Sequence, residues 1–226
     1  PLSKLVEQAK KIEEFNGKKD EVLTLYQPKG IQAERVLFLG LGKLADMKLD
    51  SFRSFSGKAV NATIKNGLKE LVIAAPASKK LPIAEVDLVT ALLEGACLGN
   101  HVFDRYKKDK KLKPLKNICL QVTPGRAKKM ARLPKRIQTI CQGTLLARDW
   151  ISTPSNDKTP AQLARTFVNL ARKAQLKTSV LSPKQLQQGK FGALLAVAAG
   201  SDNTPRLATL EYAPKNWRKT LVLVGK

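Results

Sequence analysis

The stretch that decides the fold class is Leu221-Val222-Leu223-Val224-Gly225-Lys226, at the carboxyl end of the sequence. Four aliphatic residues, half of them β-branched, predict a short buried strand, and the Gly-Lys pair predicts a tight turn after it. Because ligands of α/β proteins gather at the carboxyl edge of the sheet, we expect functional chemistry at and after this point. A domain seldom ends on such a strand, so we also expect the chain to be a fragment of a longer protein.

Upstream of this strand, helical and strand patterns alternate. Apolar residues recur every three to four positions, as in a helix, in residues 2–15, 50–66, 85–100 and 133–151. Aliphatic and β-branched runs typical of strands occupy residues 22–26, 35–39, 71–75, 118–122, 177–181 and 207–212. Thr159-Pro160 and Ser182-Pro183 each pair a capping hydroxyl with proline at the first helical position, which predicts two further helix starts. This order predicts an α/β layered fold.

A glycine-rich turn follows the second strand. Gly40-Leu41-Gly42-Lys43-Leu44-Ala45 matches the G-x-G-x-x-G/A pattern of dinucleotide-binding proteins. The next strand lacks the acidic residue that would bind the ribose, and no helix starts directly after the glycines. We therefore favour a structural turn over a nucleotide site.

Composition excludes several classes of protein. Hydrophobic residues make up 43% of the 226 residues, which is enough for a packed core. No apolar run approaches the roughly 18–20 residues of a membrane span, so we expect no membrane partner. The three cysteines show no C-x-x-C spacing, and we expect reduced, mostly buried thiols in a cytoplasmic protein. His101 is the only histidine, which argues against a histidine-rich metal site or a Ser-His-Asp triad within this stretch.

The positive charge is concentrated in the middle of the chain. Residues 105–136 contain 13 Lys and Arg against Asp109 alone, a net charge of +12 out of +23 for the whole chain. Clustered Lys and Arg side chains bind the phosphate backbone of nucleic acids by releasing counterions. The candidate nucleic-acid-binding residues are Arg105, Lys107, Lys108, Lys110, Lys111, Lys113, Arg126, Lys128 and Lys129. The alternative is a solvated surface loop whose opposing charge lies elsewhere, and only Phe103 and Tyr106 are nearby for base stacking.

The second half of the chain resembles the leucyl aminopeptidases, the cytosolic M17-type metallopeptidases. The resemblance starts in Ala147-Arg148-Asp149-Trp150-Ile151-Ser152-Thr153-Pro154-Ser155-Asn156. It continues through Thr159-Pro160, residues 192–201, Pro205-Arg206-Leu207, Leu210-Glu211-Tyr212 and residues 221–226. Residues 34–43 and 103–107 resemble the family's amino-terminal domain more loosely.

This resemblance implies a fold and a function. The fold is α/β, with a macro-like amino-terminal domain followed by a truncated α/β metallopeptidase domain. We expect the amino-terminal domain in residues 1–140, and the linking helix with the first part of the catalytic domain in residues 141–226. The implied activity is removal of the amino-terminal residue, often leucine, from peptide substrates by an enzyme that is usually a homo-hexamer.

The resemblance also implies a metal site, of which this chain contains only the first ligand position. The family uses two divalent metal ions, Zn or Mn, and Lys226 stands where the family has a lysine ligand. A lysine can ligate a metal only when neutral, so the metal and burial must lower its pKa from about 10.4. The carboxylate ligands, the catalytic lysine and the arginine that holds a carbonate lie later in the family's sequences. We therefore expect this chain alone to bind no metal and to be inactive.

The strong basic charge leaves a second function open. A cytosolic peptidase is not expected to carry a net charge of +23. The alternative is a nucleic-acid-binding or scaffold subunit derived from the aminopeptidase family.

Overall fold

The computed structural model describes residues 2–11, 15–76, 81 and 83–225. The chain forms two compact units, Pro1–Asp149 and Trp150–Lys226, which are described separately. This division and the boundary expected near residue 140 both lie in the same long helix, and the domain division stays a prediction.

The first unit is a mixture of helices and short strands. Its helices are α1 (Leu2–Lys11), α2 (Leu49–Lys65), α3 (Glu85–Gly99), α4 (Pro124–Lys129) and most of α5 (Leu133–Ser152). Its strands are β1 (Val22–Tyr26), β2 (Arg35–Leu39), β3 (Glu70–Ala74) and β4 (Asn117–Gln121). β1 pairs antiparallel with β2, whereas β3 pairs parallel with β4. The parallel pair places Glu70 opposite Asn117, whose side-chain amide donates to the Glu70 carboxylate (2.7 Å).

The glycine-rich turn after β2 is structural. The Gly40 amide donates to the Glu21 carbonyl (2.7 Å), and the Gly40 carbonyl accepts from the Asp20 amide (3.1 Å). A Cβ at Gly40 would overlap the Lys18 carbonyl oxygen, and Gly42 has a φ of +80°. A 3₁₀ turn follows rather than an α-helix, so the local structure lacks the helix start that a dinucleotide site requires.

The core of the first unit lies between α2, α3 and β3. Its buried members are Phe52, Val60, Ile64, Ile73, Leu88, Ala91, Leu92, Ala96 and Leu115. Leu115 belongs to the segment that leads into β4, so this core also holds the end of the connection from α3 to β4. Burying one such large side chain contributes about 1.5–3 kcal/mol.

Helices α2 and α3 approach closely because small residues line their contact. A Cβ on Gly95 would overlap the Arg53 carbonyl and the Ser56 hydroxyl, and one on Gly99 would lie 2.8 Å from the Gly57 Cα. Ser56 is fully buried, and its hydroxyl donates to the Phe52 carbonyl (3.1 Å) within its own helix. At the edge of the contact, the Arg53 Nε donates to Glu94 (2.6 Å).

The second unit is smaller and has fewer buried side chains. After the end of α5 it contains α6 (Pro160–Lys173), β5 (Lys177–Leu181), α7 (Pro183–Gln188), α8 (Gly192–Ala198) and β6 (Leu207–Glu211). β5 pairs antiparallel with β6. Thr159 and Ser182 cap α6 and α7 as predicted, each accepting from the amide three residues later. Ala164, Ala171 and Leu186 are its buried hydrophobic residues in the described part of the chain.

One local prediction was wrong. Residues 221–224 do not form a strand: no strand pairs with them in the described residues, and they are largely exposed, with Val224 93% accessible. Helix α4 begins at Pro124, which occupies the first helical turn. No helix in the described residues is long and apolar enough to cross a membrane.

We predict that Gly95→Ala destabilises the first unit although alanine favours helix formation. The added methyl must push α2 away from α3, and overpacking of this kind costs about 1–3 kcal/mol. The measurement is the free energy of unfolding in urea, monitored by far-ultraviolet circular dichroism. Gly143→Ala in α5 is the matched control, since nothing lies within 4 Å of its added Cβ. The control should be neutral or stabilising by up to about 1 kcal/mol, and equal effects of the two substitutions would contradict the close-packing interpretation.

Candidate functional site

The basic loop, residues 101–116, connects α3 to β4 and is closed at its base by one asparagine. Asn100 ends α3, and its side-chain amide donates to the Leu115 carbonyl (3.1 Å) while its amide oxygen accepts from the Leu115 N–H (2.7 Å). Lys116 then donates its backbone N–H to the Lys69 carbonyl (2.9 Å), which starts the β3–β4 pairing. The loop is therefore anchored at both ends of its basic stretch.

The lysines of this loop extend into solvent. Lys107, Lys108, Lys110, Lys111 and Lys113 are all exposed, and no ion pair to them is found in the described part of the chain. Like charges so close together repel each other, so an approaching polyanion would relieve this repulsion.

An aromatic pair lies at the start of the basic stretch. The Arg105 guanidinium lies 5.6 Å from the centre of the Tyr106 ring, and the Phe103 and Tyr106 ring centres are 5.9 Å apart. A cation–π contact at such an exposed site contributes about 0.5–1 kcal/mol. Arg105 is thus held beside the lysines and is exposed like them.

The three basic residues expected after β4 lie in α4 and differ among themselves. Lys128 and Lys129 are exposed in the last turn of α4. Arg126 instead forms an ion pair through its Nε with Glu85, at the first turn of α3. Because a guanidinium held by a carboxylate is less available to phosphate, Arg126 does not belong to the exposed basic surface that Lys128 and Lys129 extend.

The carboxyl-terminal segment, where we expected the first metal ligand, has no site around it in the described residues. Residues 221–225 are exposed, and Lys226 lies outside the described residues. No group of three or more His, Cys, Asp or Glu side chains in the described residues is arranged to hold a metal ion. The described residues alone therefore do not supply the two-metal centre that the resemblance implies.

The motif at the end of α5 serves structural contacts within the first unit. The Arg148 Nη1 donates to the Leu98 carbonyl (3.0 Å), in the last turn of α3, where a cation is favoured by the helix dipole. One residue later, Asp149 Oδ1 lies 3.3 Å from the Nε2 of His101. Both contacts hold α5 against the end of α3.

The same motif continues into the second unit and anchors α6. The Trp150 ring packs edge-on against Phe167, with 5.0 Å between ring centres. The Trp150 carbonyl accepts from the Lys158 ammonium group (2.6 Å), just before the α6 cap at Thr159. An aromatic pair of this geometry adds about 0.5–1.5 kcal/mol beyond burial.

A groove of about 480 Å³ lies between α6 and the β5–β6 pair. Its lining includes the small or aliphatic residues Ala164, Val168 and Val180, together with Arg165 and Arg206. The Arg206 Nη1 donates to the Thr204 side chain (2.9 Å) and the Pro205 carbonyl (2.7 Å). This arginine of the Pro205-Arg206-Leu207 motif is therefore held by its own loop at the start of β6.

Sequence reasoning missed two side-chain arrangements. Asn100 could have been suspected as a helix end, but its bond to Leu115 depends on a fold contact across 15 residues. Arg126 is a candidate phosphate-binding residue in the sequence, whereas its ion pair with Glu85 depends on packing between α4 and α3.

Two family profiles match the chain. The amino-terminal domain of the cytosol aminopeptidase family matches residues 1–110, and the catalytic domain of the same family matches residues 145–226. The chain is 34% identical to a "Probable cytosol aminopeptidase" of Desulfotalea psychrophila over 94% of its length, and it spans 44% of the length of that relative.

Two solved structures are similar to this chain. The bottromycin maturation enzyme BotP in complex with Mn has a TM-score of 0.75 and 27% identity, over 89% of this chain and 41% of that chain. A tomato leucine aminopeptidase mutant has a TM-score of 0.78 at 24% identity, over 97% of this chain and 43% of that chain, and shows the fold alone. The sequence-based prediction of a mixed α/β fold, with an M17 amino-terminal domain and part of the catalytic domain, is confirmed.

We predict that Asn100→Ala loosens the basic loop. The substitution leaves both backbone groups of buried Leu115 without their partner, at a cost of about 1–3 kcal/mol for each unsatisfied group. Limited trypsin digestion should then cut at the loop lysines several times faster. Asn100→Asp keeps the acceptor for the Leu115 N–H and loses the donor, so it should be intermediate. Identical cleavage rates in all three proteins would contradict an anchoring role.

Proposed function

The chain belongs to the cytosol aminopeptidase (M17) family, and on that premise we propose that it forms the amino-terminal domain and the first part of the catalytic domain of a leucyl aminopeptidase. The proposed reaction is hydrolysis of the amino-terminal residue from a peptide by two divalent metal ions. The observation that carries the proposal is the match of residues 1–110 and 145–226, in order, to the two domains of one family. The domain division that we propose is 1–140 and 141–226.

The metal ions of the intact enzyme would be Zn or Mn. A solved relative, BotP, has been observed in complex with Mn. Two such ions would supply Lewis-acid chemistry for activating a water molecule and a carbonyl group. Lys226 is the one residue of this chain that we propose as a ligand, and it must be neutral to serve.

We propose that the chain by itself is inactive. The described residues offer no cluster of metal-binding side chains, and the chain spans 44% of the relative named above. What its own residues contribute is support: Arg148 and Asp149 fasten α5, and Trp150 and Lys158 fasten the start of α6. We further propose peptide substrates, a cytoplasmic location and a homo-hexamer for the intact protein, in keeping with the family.

A chimera tests the enzyme proposal. The 226 residues alone should not hydrolyse leucine 4-nitroanilide with added Mn²⁺ or Zn²⁺. The same residues fused in frame to the remaining part of the Desulfotalea relative should hydrolyse it, and EDTA should abolish the activity. A folded, metal-loaded chimera without activity would contradict the proposal.

Lys226→Ala in the active chimera tests the ligand assignment. Loss of a group that only supports a metal ligand lowers metal affinity or enzymatic activity by roughly 10–100-fold. Loss of a ligand itself should therefore lower the activity of the chimera by at least this factor. Metal content after dialysis, measured by mass spectrometry, should fall in parallel. Lys219→Ala, an exposed lysine in the same segment, is the control and should retain both activity and metal.

A second function is supported by the exposed, unneutralised lysines of the basic loop. We propose that Arg105, the exposed loop lysines and two lysines of α4 bind the phosphate backbone of a nucleic acid. These lysines are Lys107, Lys108, Lys110, Lys111 and Lys113 of the loop and Lys128 and Lys129 of α4. The observation that favours this function is a +12 segment whose loop lysines have no ion-pair partner in the described residues. Sparse aromatic residues favour a duplex over a stacked single strand.

Charge reversal tests the second function. The variant replaces four loop lysines with glutamate: Lys107, Lys108, Lys110 and Lys111. It should no longer bind duplex DNA or RNA, as measured by fluorescence anisotropy at low salt. The wild-type affinity should fall steeply as salt is added. On B-DNA, the logarithm of the binding constant should fall against the logarithm of the salt concentration with a slope of about −0.9 per phosphate neutralised.

The matched control carries the same change in net charge elsewhere in the first unit. It replaces four exposed lysines with glutamate: Lys4, Lys10, Lys11 and Lys29. This control should retain most of the binding and its salt slope. If both variants weaken binding equally, overall charge explains the binding and the loop assignment is wrong. No binding by the wild type at low salt would also exclude this function.

A further inference from the structure

Helix α4 is held on the first unit by few contacts of its own. It follows β4 closely and contains only six residues, none of which is buried. An isolated helix of this length is not stable in water, because nucleation costs more than its few hydrogen bonds contribute. The position of α4 must therefore depend on contacts that individual side chains make with neighbouring elements.

An ion pair between Arg126 and Glu85 provides such a contact. It joins the Arg126 Nε to the Glu85 Oε1, and the two side chains are only 21% and 33% exposed. The Glu85 Oε1 atom itself is buried from solvent. Glu85 lies in the first turn of α3, where the helix dipole favours a carboxylate. Because loss of one partner would leave a partly buried charge uncompensated, this pair constrains α4 more than an exposed ion pair would.

Two exposed lysines follow Arg126 on the same short helix. Lys128 and Lys129 lie in the last turn of α4. The basic loop precedes β4 and α4 follows it, so the five residues of this strand separate the two basic groups. At about 3.3 Å per residue, the strand spans roughly 16 Å. On a bound duplex, the lysines of α4 would therefore contact phosphates other than those that the loop contacts.

We propose that Glu85 is a positioning residue for nucleic-acid binding, which holds α4 through Arg126 so that Lys128 and Lys129 face the same duplex as the basic loop. This inference rests on the second function proposed above. Glu85 contacts no phosphate itself and acts only through Arg126. Its expected effect is opposite in sign to that of charge alone, since removal of an acidic side chain beside a basic surface otherwise strengthens binding to a polyanion.

The first measurement needs no nucleic acid. Hydrogen exchange of the folded 226-residue chain, followed by mass spectrometry, compares wild type with Glu85→Gln. The amides of Ala127 and Met130, which bond within α4 to Thr123 and Arg126, should exchange several times faster in the variant. Exchange in α2 should stay the same, which shows that the core is intact.

Asp87→Asn is the matched control for this measurement. Asp87 is an exposed acidic residue in the same first turn of α3, so its replacement changes the net charge and the helix-dipole interaction in the same way. Exchange in α4 should be unchanged in this control. Equal exchange of α4 in wild type and Glu85→Gln would overturn the inference, whether or not the protein binds nucleic acid.

The second measurement is binding to duplex DNA, by fluorescence anisotropy over a range of salt concentrations. We expect Glu85→Gln to bind several-fold more weakly than wild type at low salt, despite its additional positive charge. Its salt slope should be less steep by up to about 1.8, for two phosphates at about 0.9 each. Asp87→Asn should bind as tightly as wild type or more tightly. Tighter binding by Glu85→Gln would overturn the inference, because charge alone would then explain the effect of Glu85.

Alanine at both Lys128 and Lys129 distinguishes positioning from a general loss of structure. If Glu85 acts through these lysines, Glu85→Gln should cause no further loss of affinity in the Lys128→Ala/Lys129→Ala background. An equal loss in both backgrounds would overturn the inference while leaving binding by the loop intact. Wild-type protein that does not bind the duplex at low salt would instead overturn the function on which the inference rests, and with it the role assigned to Glu85.

Discussion

The close contact between α2 and α3 is the constraint on which the first unit depends. Glycines at 57, 95 and 99 remove the Cβ atoms that would otherwise separate the two helices. This approach brings Phe52, Val60 and Leu92 into one buried cluster with Ile73 of β3. The cost is that three helical positions carry the residue with the poorest helix propensity after proline, at about 1 kcal/mol each. Packing must offset this cost, so the contact is maintained by burial rather than by helix propensity.

Once α3 is fixed against α2, it supports every other feature of the first unit that has functional interest. Its first turn pairs with α4 through Glu85, and its end closes the basic loop through Asn100. Its end also holds α5, because the Leu98 carbonyl accepts a hydrogen bond from Arg148. The loop lysines can remain unpaired because this scaffold, and not a network of charges, determines where they lie. Surface ion pairs would contribute little to stability at such exposed positions, so their absence from the described residues costs the fold little and leaves the charge available.

The sequence predicts those features that depend on residues close together in the chain. The periodic stripes of α2, α3 and α6 and the caps at Thr159 and Ser182 need only neighbours within a few positions, and they lie within one or two residues of the predicted bounds. Composition predicts a strand at residues 221–224, but a strand also needs a hydrogen-bonded partner, and the described residues provide none. The Asn100–Leu115 bonds and the Arg126–Glu85 ion pair arise from packing between distant segments, which hydrophobic period cannot specify. The resemblance singles out Arg148 and Asp149, whereas their contacts with the end of α3 depend on the fold.

The two units differ in how completely their apolar residues are buried, and this difference bears on the enzyme proposal. The first unit buries a cluster of large side chains around α2 and α3. The second buries chiefly Ala164, Ala171 and Leu186 among its described residues, while Ile151, Val197 and Leu223 are largely exposed. Scattered exposed aliphatic side chains are ordinary on protein surfaces, so the small core, rather than this exposure, distinguishes the second unit from the first. A catalytic site needs ligands held to within about half an ångström by packed neighbours. The ligand role proposed for Lys226 therefore depends on packing that the described residues of the second unit do not supply.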